Sequence, residues 1–389
     1  MKILTALTYY RPHTSGLTIY AERLAEALVR RGHEVTVLTA HFDPGSPKEE
    51  TVNGVHIVRV PVMFRVNKGV IMPTIGYYAT REALRHDVIL LHLPQFDAAG
   101  MALRGRLFRK PTAILYHCDL LLPPGAFNKI VNRVVLTMND IAGRFAHKVI
   151  GYTEDFACHS PFLTKFEYKR EIITPPVQLP EATPDAVHAF KLKHNPEGRP
   201  VIGMATRFAS EKGVGVLIDA LPKVLDTFPN AKVLYAGQYK NVWGEEQYFE
   251  QLRPKIERLQ AEGRWAFLGV LTLAQMAEFF PNLDVLVVPS LNSTETFGFV
   301  QIEAMMNGTP AIAANLPGVR QPVTMTGMGR VVPIGDSPAL ADAIIDVLTN
   351  PDTFAGDPKA IKQMFAPETN ALAFERMFEA MLRKMGKID

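Results

Sequence analysis

Short apolar runs alternate along this chain with longer stretches whose apolar positions recur at helical spacing. In the first half the runs at Lys2–Thr8, Glu34–Leu38, His56–Val60, Val88–Leu91, Ala113–Tyr116 and Lys148–Tyr152 read as strands. A second series starts at Val201 and continues through Val233–Ala236, Trp265–Leu268, Val285–Val288, Ala311–Ala314 and Arg330–Pro333. Each run is apolar nearly throughout, as expected of strands covered on both faces, and the intervening segments carry helix signals. Repeated strand-then-helix order of this kind predicts an α/β protein built on parallel sheets. The last periodic stretch, Ala371 to Leu382, predicts a terminal helix.

Between the two series lies the densest proline break, Pro175, Pro176, Pro180 and Pro184, which interrupts regular structure and reads as a linker. A length of 389 residues also exceeds what one core ordinarily holds. The expected organisation is therefore a first domain over 1–178 and a second over 185–370, with 371–389 as a closing helix. Hydrophobic residues make up 47% and charged residues 21%, which excludes a disordered or low-complexity chain. The two cysteines, Cys118 and Cys158, lack metal-type spacing and make no disulfide framework. Met1 leads directly into a strand, and no apolar run approaches the ~18 residues of a membrane span. A soluble cytoplasmic protein is expected on these grounds.

Charge divides unevenly. Residues 1–180 carry 22 Lys and Arg against 15 Asp and Glu, the remainder 20 against 24. A basic first half fits an anionic partner or membrane surface, and no nucleic-acid motif accompanies it. The segment from Phe64 to Met72 mixes apolar and basic residues in an expected loop, a composition suited to peripheral contact with anionic lipid.

The most informative stretch is ETFGFVQIE, bracketed by Glu295 and Glu303. It follows the strand Val285–Val288, Pro289 and a polar loop, and precedes a helical pattern that stops near Gly308 and Pro310. A helix opening near Phe297 and Gly298 would present N–H groups to an anion through Gly298, Phe299 and Val300. Glu303 would then lie about two turns on, roughly 9 Å along the axis. Two glutamates alone read as surface charge. Upstream, however, Arg207 and Lys212 occupy the loop between the strand at Val201 and the helix near Gly213, where α/β sheets place ligands. A guanidinium and an ammonium there suit a diphosphate.

This order, a basic loop followed by Glu-x7-Glu, resembles retaining glycosyltransferases of the GT-B fold, in particular glycosyltransferase family 4. The opening MKILTALTYYRPHTSGLTIYAERLAEALVRRGHEVTVLTA, the Tyr116-His117-Cys118-Asp119 loop and the closing AMMNGTPAIAANLPGVRQPV extend the resemblance over nearly the whole chain. Two departures stand out. A single Gly16 follows Ser15 where two glycines are common, and the interdomain turn reads ITPPVQLP. The resemblance implies two Rossmann-like, doubly wound parallel-sheet domains facing across a cleft, with the terminal helix crossing back to the first domain. It implies catalytic or substrate-facing roles for Glu295, His117, Arg207 and Lys212. Donor contacts follow for Gly16, Gly237, Gly298, Phe299, Val300 and Glu303.

The implied reaction transfers a sugar from a nucleotide diphosphate sugar to an acceptor hydroxyl with retention, the donor being a substrate and no cofactor being required. The leaving phosphate would accept the acceptor proton, since no second acid/base carboxylate is evident for the two-carboxylate scheme. Asp-x-Asp is absent from the sequence, which points away from the metal-bound diphosphate of the other main transferase fold. Neither half has a clean G-x-G-x-x-G after its first strand, which disfavours a dehydrogenase. A nucleotide-sugar 2-epimerase and a non-catalytic nucleotide-sugar binder remain as alternatives. Acceptor-dependent product separates the first, and binding without turnover the second.

Overall fold

The structure is a computed structural model describing residues 1–66, 69–120 and 125–388, with Val66 described at its backbone alone. Among the described residues ten strands precede the proline-rich break: β1 Lys2–Ala6, β2 Glu34–His41, β3 Glu49–Val52, β4 Val55–Pro61, β5 Phe64–Val66, β6 Gly69–Ile71, β7 Val88–Leu93, β8 Thr112–Tyr116, β9 Lys148–Gly151 and β10 Arg170–Ile172. Six follow it: β11 Val201–Ala205, β12 Lys232–Ala236, β13 Trp265–Gly269, β14 Val285–Val288, β15 Ala311–Ala314 and β16 Gly329–Val332. The chain divides into two compact units, Met1–Pro176 with Phe365–Asp389, and Val177–Met364.

In the first unit eight strands form one sheet in the order β10-β9-β8-β7-β1-β2-β4-β3, parallel except for β3 against β4. The second unit holds a six-stranded parallel sheet in the order β13-β12-β11-β14-β15-β16. Both are doubly wound. Their central strands are buried along their whole length, as Val88–Leu93 and Val285–Val288 show, because helices cover both faces.

Two edge strands, β3 and β10, were not legible from apolar pattern. Each is short and polar, with Glu49 and Glu50 in one and Arg170 and Glu171 in the other, as sheet edges commonly are. The expected loop at Phe64–Met72 is instead a hairpin, β5 against β6. Its Asn67 and Lys68 lie outside the described residues.

The terminal helix runs Pro367–Lys384, four residues earlier than its apolar pattern begins, because Pro367 suits the first helical turn. It packs against the helix Gly16–Arg30. Asn370 Nδ2 donates to the Thr174 carbonyl at 2.6 Å and to the Tyr20 hydroxyl at 3.2 Å, and Arg30 pairs with Glu368 at 2.8 Å. Among the described residues no helix is long and apolar enough to cross a membrane.

Candidate active site

The second sheet reverses its winding between β11 and β14. Those two strands are hydrogen-bonded neighbours, yet the chain leaves β11 toward β12 on one side and β14 toward β15 on the other. The carboxyl ends of β11 and β14 are therefore a topological switch point, the usual ligand position in such sheets. Arg207 and Lys212 follow β11, and Glu295 follows β14. Sequence places them far apart; the adjacency of these two strands brings Lys212 and Glu295 together.

Backbone geometry holds the two loops against each other. The residues after β11 make one tight turn, Ser210–Lys212, and Gly213 then enters the helix Val214–Thr227 in the left-handed conformation, φ 73°. A Cβ there would lie 2.0 Å from the Pro289 carbonyl oxygen, so only glycine permits this approach to the end of β14. Leu291 N–H donates to the Glu211 carbonyl at 2.8 Å and ties the loops directly. Phe208 anchors the basic loop from below, fully buried among the rings of Tyr235, Tyr248, Phe249 and Phe267.

Lys212 Nζ lies 2.7 Å from Glu295 Oε2, while Glu295 Oε1 accepts from the Gly298 amide at 3.0 Å. The carboxylate is thus gripped from two sides and its orientation set. Both side chains are mostly buried, Lys212 at 14% and Glu295 at 25% exposure. Arg207 forms its own ion pair with Glu211, four positions along the same loop. Each of the two cations expected to meet a diphosphate is thus neutralised here by a carboxylate, and the four charges sum to zero. Glu211 escaped notice in the sequence, although its i,i+4 spacing from Arg207 was the available signal.

The helix after Glu295 also differs from expectation. It runs Phe299–Met305, with Gly298 at φ 78° before it. Glu303 is accordingly about 6 Å beyond Phe299, just over one turn rather than two. It is 8% exposed. The Gly298 amide, expected to face an anion, is bonded to Glu295, which leaves Phe299 and Val300 as the residues that open the helix. Gln301 is buried and donates to the carbonyls of Phe297 and Val319 at 3.2 and 2.9 Å, which locks the turn.

Gly237, at φ 136°, follows β12; a Cβ on it would lie 1.9 Å from the Thr206 carbonyl oxygen. Its lack of a side chain is required by the backbone that carries Arg207, a positioning reason independent of any ligand. Gly16 is the first residue of the helix Gly16–Arg30, whose Ser15 cap accepts from Thr18 N–H at 3.2 Å. An ordinary helical backbone does not itself demand glycine there.

His117 lies in the first unit just past β8 and is buried. Its Nε2 is 2.8 Å from His92 Nδ1, and its Nδ1 bonds to the Tyr152 hydroxyl. Tyr20 stacks on Tyr152 and meets the His117 ring edge-on. Burial pushes His92 down to about 3 and His117 well below the ordinary histidine range, so both rings are neutral. Contact of either His117 nitrogen with a substrate requires one of these bonds to give way. His92 and Tyr152 were not singled out in the sequence, where each is one polar residue near the end of an apolar strand. Among the described residues no three His, Cys, Asp or Glu side chains gather as a metal site would.

Comparison with known proteins bears on this arrangement directly. Residues 188–363, which carry this switch point, match the family model of glycosyl transferases group 1, and residues 15–160 match that of the glycosyl transferase 4-like domain. The chain belongs to the family 4-like group 1 glycosyltransferases. Phosphatidyl-myo-inositol mannosyltransferase of Mycobacterium leprae is 27% identical over 353 residues, covering 86% of this chain and 84% of that protein. The 2-deoxystreptamine N-acetyl-D-glucosaminyltransferase of Streptomyces fradiae is 28% identical over 356 residues, covering 86% and 83%. Among solved structures, Anabaena HepE in complex with UDP-glucose superposes with a TM-score of 0.75 at 21% identity, covering 98% of this chain and all of that one. Sucrose-phosphate synthase from Thermosynechococcus elongatus gives 0.74 at 19%, covering 98% and 99%. These neighbours share the GT-B fold with this glycosyltransferase.

Proposed function

We propose that this glycosyltransferase moves a sugar from a nucleotide diphosphate sugar to an acceptor hydroxyl, with retention and without a metal ion. The observation that carries this reading is the 2.7 Å contact between Lys212 and Glu295 at the switch point of the second sheet. A carboxylate suited to sugar hydroxyls and a cation suited to phosphate lie side by side there, as they would on either side of a sugar–phosphate bond. HepE, a structural neighbour, has been solved with UDP-glucose, which supports a donor of that class.

In this reading Glu295 orients the donor sugar through its hydroxyls. Lys212 and Arg207 exchange their carboxylate partners for the diphosphate as the donor enters, and their charge counts most when the leaving group is most negative. Phe299 and Val300 offer the helix opening to the same phosphate, Glu303 anchors the ribose, and Gly16 admits the phosphates to the first helix. His117 meets sugar or acceptor through a rearranged ring bond. The acceptor attacks from the face the phosphate leaves, and a phosphate oxygen takes its proton. Metal independence rests on the paired cations and on the absence of an Asp-x-Asp sequence.

For the acceptor, a glycolipid or cell-surface glycan intermediate is our preferred class. The helix Ala126–Phe145 carries exposed Phe127 and Ile130 beside exposed Lys129 and Arg133, a composition that suits peripheral contact with an anionic lipid surface. The mannosyltransferase relative is named for phosphatidyl-myo-inositol.

A thermal-shift screen against UDP, GDP, ADP and their sugars, with and without chelator, tests the donor half. One nucleotide should stand out, unaffected by chelator. No shift with any nucleotide overturns the donor site, and a shift abolished by chelator overturns metal independence. NMR of the product anomer then decides retention.

A further inference from the structure

Three carboxylates and two cations meet around the turn Ser210–Lys212. Glu295 lies on Lys212 at 2.7 Å, Glu211 lies on Arg207, and Glu245 accepts from the Ser210 amide at 2.9 Å and the Ser210 hydroxyl at 3.4 Å. The five formal charges sum to −1. A diphosphate arriving there meets like charge, and it reaches a guanidinium only if the carboxylate already on it gives way.

The three carboxylates differ in how they are held. Glu295 has a second bond, from the Gly298 amide at 3.0 Å, that involves no cation. Glu245 is spent on the backbone and hydroxyl of Ser210. Among the described residues the Glu211 carboxylate is hydrogen-bonded by Arg207 alone. Its backbone is anchored separately, since the Glu211 carbonyl accepts from Leu291 N–H at 2.8 Å. The side chain can therefore turn away while the loop keeps its shape. Arg207 is the more exposed partner, at 43% against 15% for Glu211, so the guanidinium is open to a ligand from solvent while the carboxylate is sheltered. An ion pair with so exposed a member adds little to stability, and holding the fold is a poor account of it.

We propose that Glu211 is a built-in competitor for the donor's phosphates. Its carboxylate occupies the Arg207 guanidinium in the free protein, is displaced when a nucleoside diphosphate binds, and recaptures Arg207 as the product nucleotide departs. This rests on the reading of Arg207 as a phosphate ligand. The competitor weakens the hold on donor and spent nucleotide alike, which speeds product release, a step that limits turnover in many enzymes. Removing its charge tightens nucleotide binding, whereas loss of a residue that merely positions Arg207 would weaken it.

The test is isothermal titration calorimetry on the full chain with UDP, GDP and ADP, continued with whichever binds the wild type most tightly. Glu211→Gln keeps the side chain's shape and removes its charge. It should lower the nucleotide dissociation constant about three- to tenfold, between the effects of an exposed ion pair and of a charge-assisted hydrogen bond. Arg207→Ala should raise the constant. Adding Glu211→Gln to Arg207→Ala should then change it by no more than about twofold, because no guanidinium is left to compete for. Glu211→Ala serves in its place if the glutamine variant does not fold. An unchanged or higher constant in Glu211→Gln overturns the proposal. So does an equal gain with and without Arg207, which would reduce Glu211 to one more negative charge near the site. Failure of wild type and Glu211→Gln alike to bind any of the three diphosphates overturns the donor reading itself, and the competitor role falls with it.

Discussion

Lys212→Met removes the ammonium from its 2.7 Å contact with Glu295 while keeping most of the apolar stem. At that distance the Coulomb attraction is on the order of 6 kcal/mol for an effective dielectric near 20. Desolvation of both groups offsets much of it, and ordering a lysine side chain costs about 2 kcal/mol more. Exposures of 14% and 25% place the pair above an ordinary surface salt bridge, which contributes up to about 1 kcal/mol. A net coupling of about 1–2 kcal/mol follows, measurable with Lys212→Met, Glu295→Gln and the double variant in a thermodynamic cycle. Urea unfolding followed by tryptophan fluorescence suits the purpose, since both tryptophans, Trp243 and Trp265, belong to the unit that holds the pair. Turnover should show the same dependence: if the two residues act as one device, the double variant is about as slow as the slower single one. Coupling indistinguishable from zero, together with additive losses in turnover, would refute the claim that Lys212 sets the Glu295 carboxylate.

Gly213→Ala should lower stability and turnover together, because the new Cβ meets the Pro289 carbonyl at 2.0 Å. Gly198→Ala is the control, with φ 65° and nothing within 4 Å; a penalty for Gly213→Ala no larger than the control's contradicts the close-approach argument, whereas an excess of about 1–3 kcal/mol supports it. Glu303→Ala should raise the donor dissociation constant about ten- to hundredfold, and an unchanged constant removes Glu303 from the ribose. His92, held neutral down to about pH 3 when folded, takes a proton near pH 6.5 once unfolded. Stability is therefore lost as pH falls through that window, at about 1.4 kcal/mol per pH unit for this ring. His92→Gln should flatten the urea-unfolding profile between pH 6 and 4, and equal slopes for variant and wild type would show that the ring does not stay neutral.

The strands were legible because burial on both faces leaves nothing but apolar residues to read, as in Val88–Leu93 and Val285–Val288. Polar edge strands gave no such signal. At the site, residue type and loop position point to Arg207, Lys212 and Glu295, since a cation in a strand-to-helix loop and a glutamate ahead of a helix are local features. Their partners were another matter. Arg207 with Glu211 is a local pair that sequence spacing contained, whereas Lys212 with Glu295 spans 83 positions.

Local pattern thus determined which segments become strands and helices, and which loops carry charge, because those depend on neighbours within a turn or two. Tertiary structure alone decided that β11 lies beside β14, that Pro289 closes over Gly213, and that His117 is met by His92 from the next strand. Each of these depends on strand order, and strand order is a property of how whole layers pack.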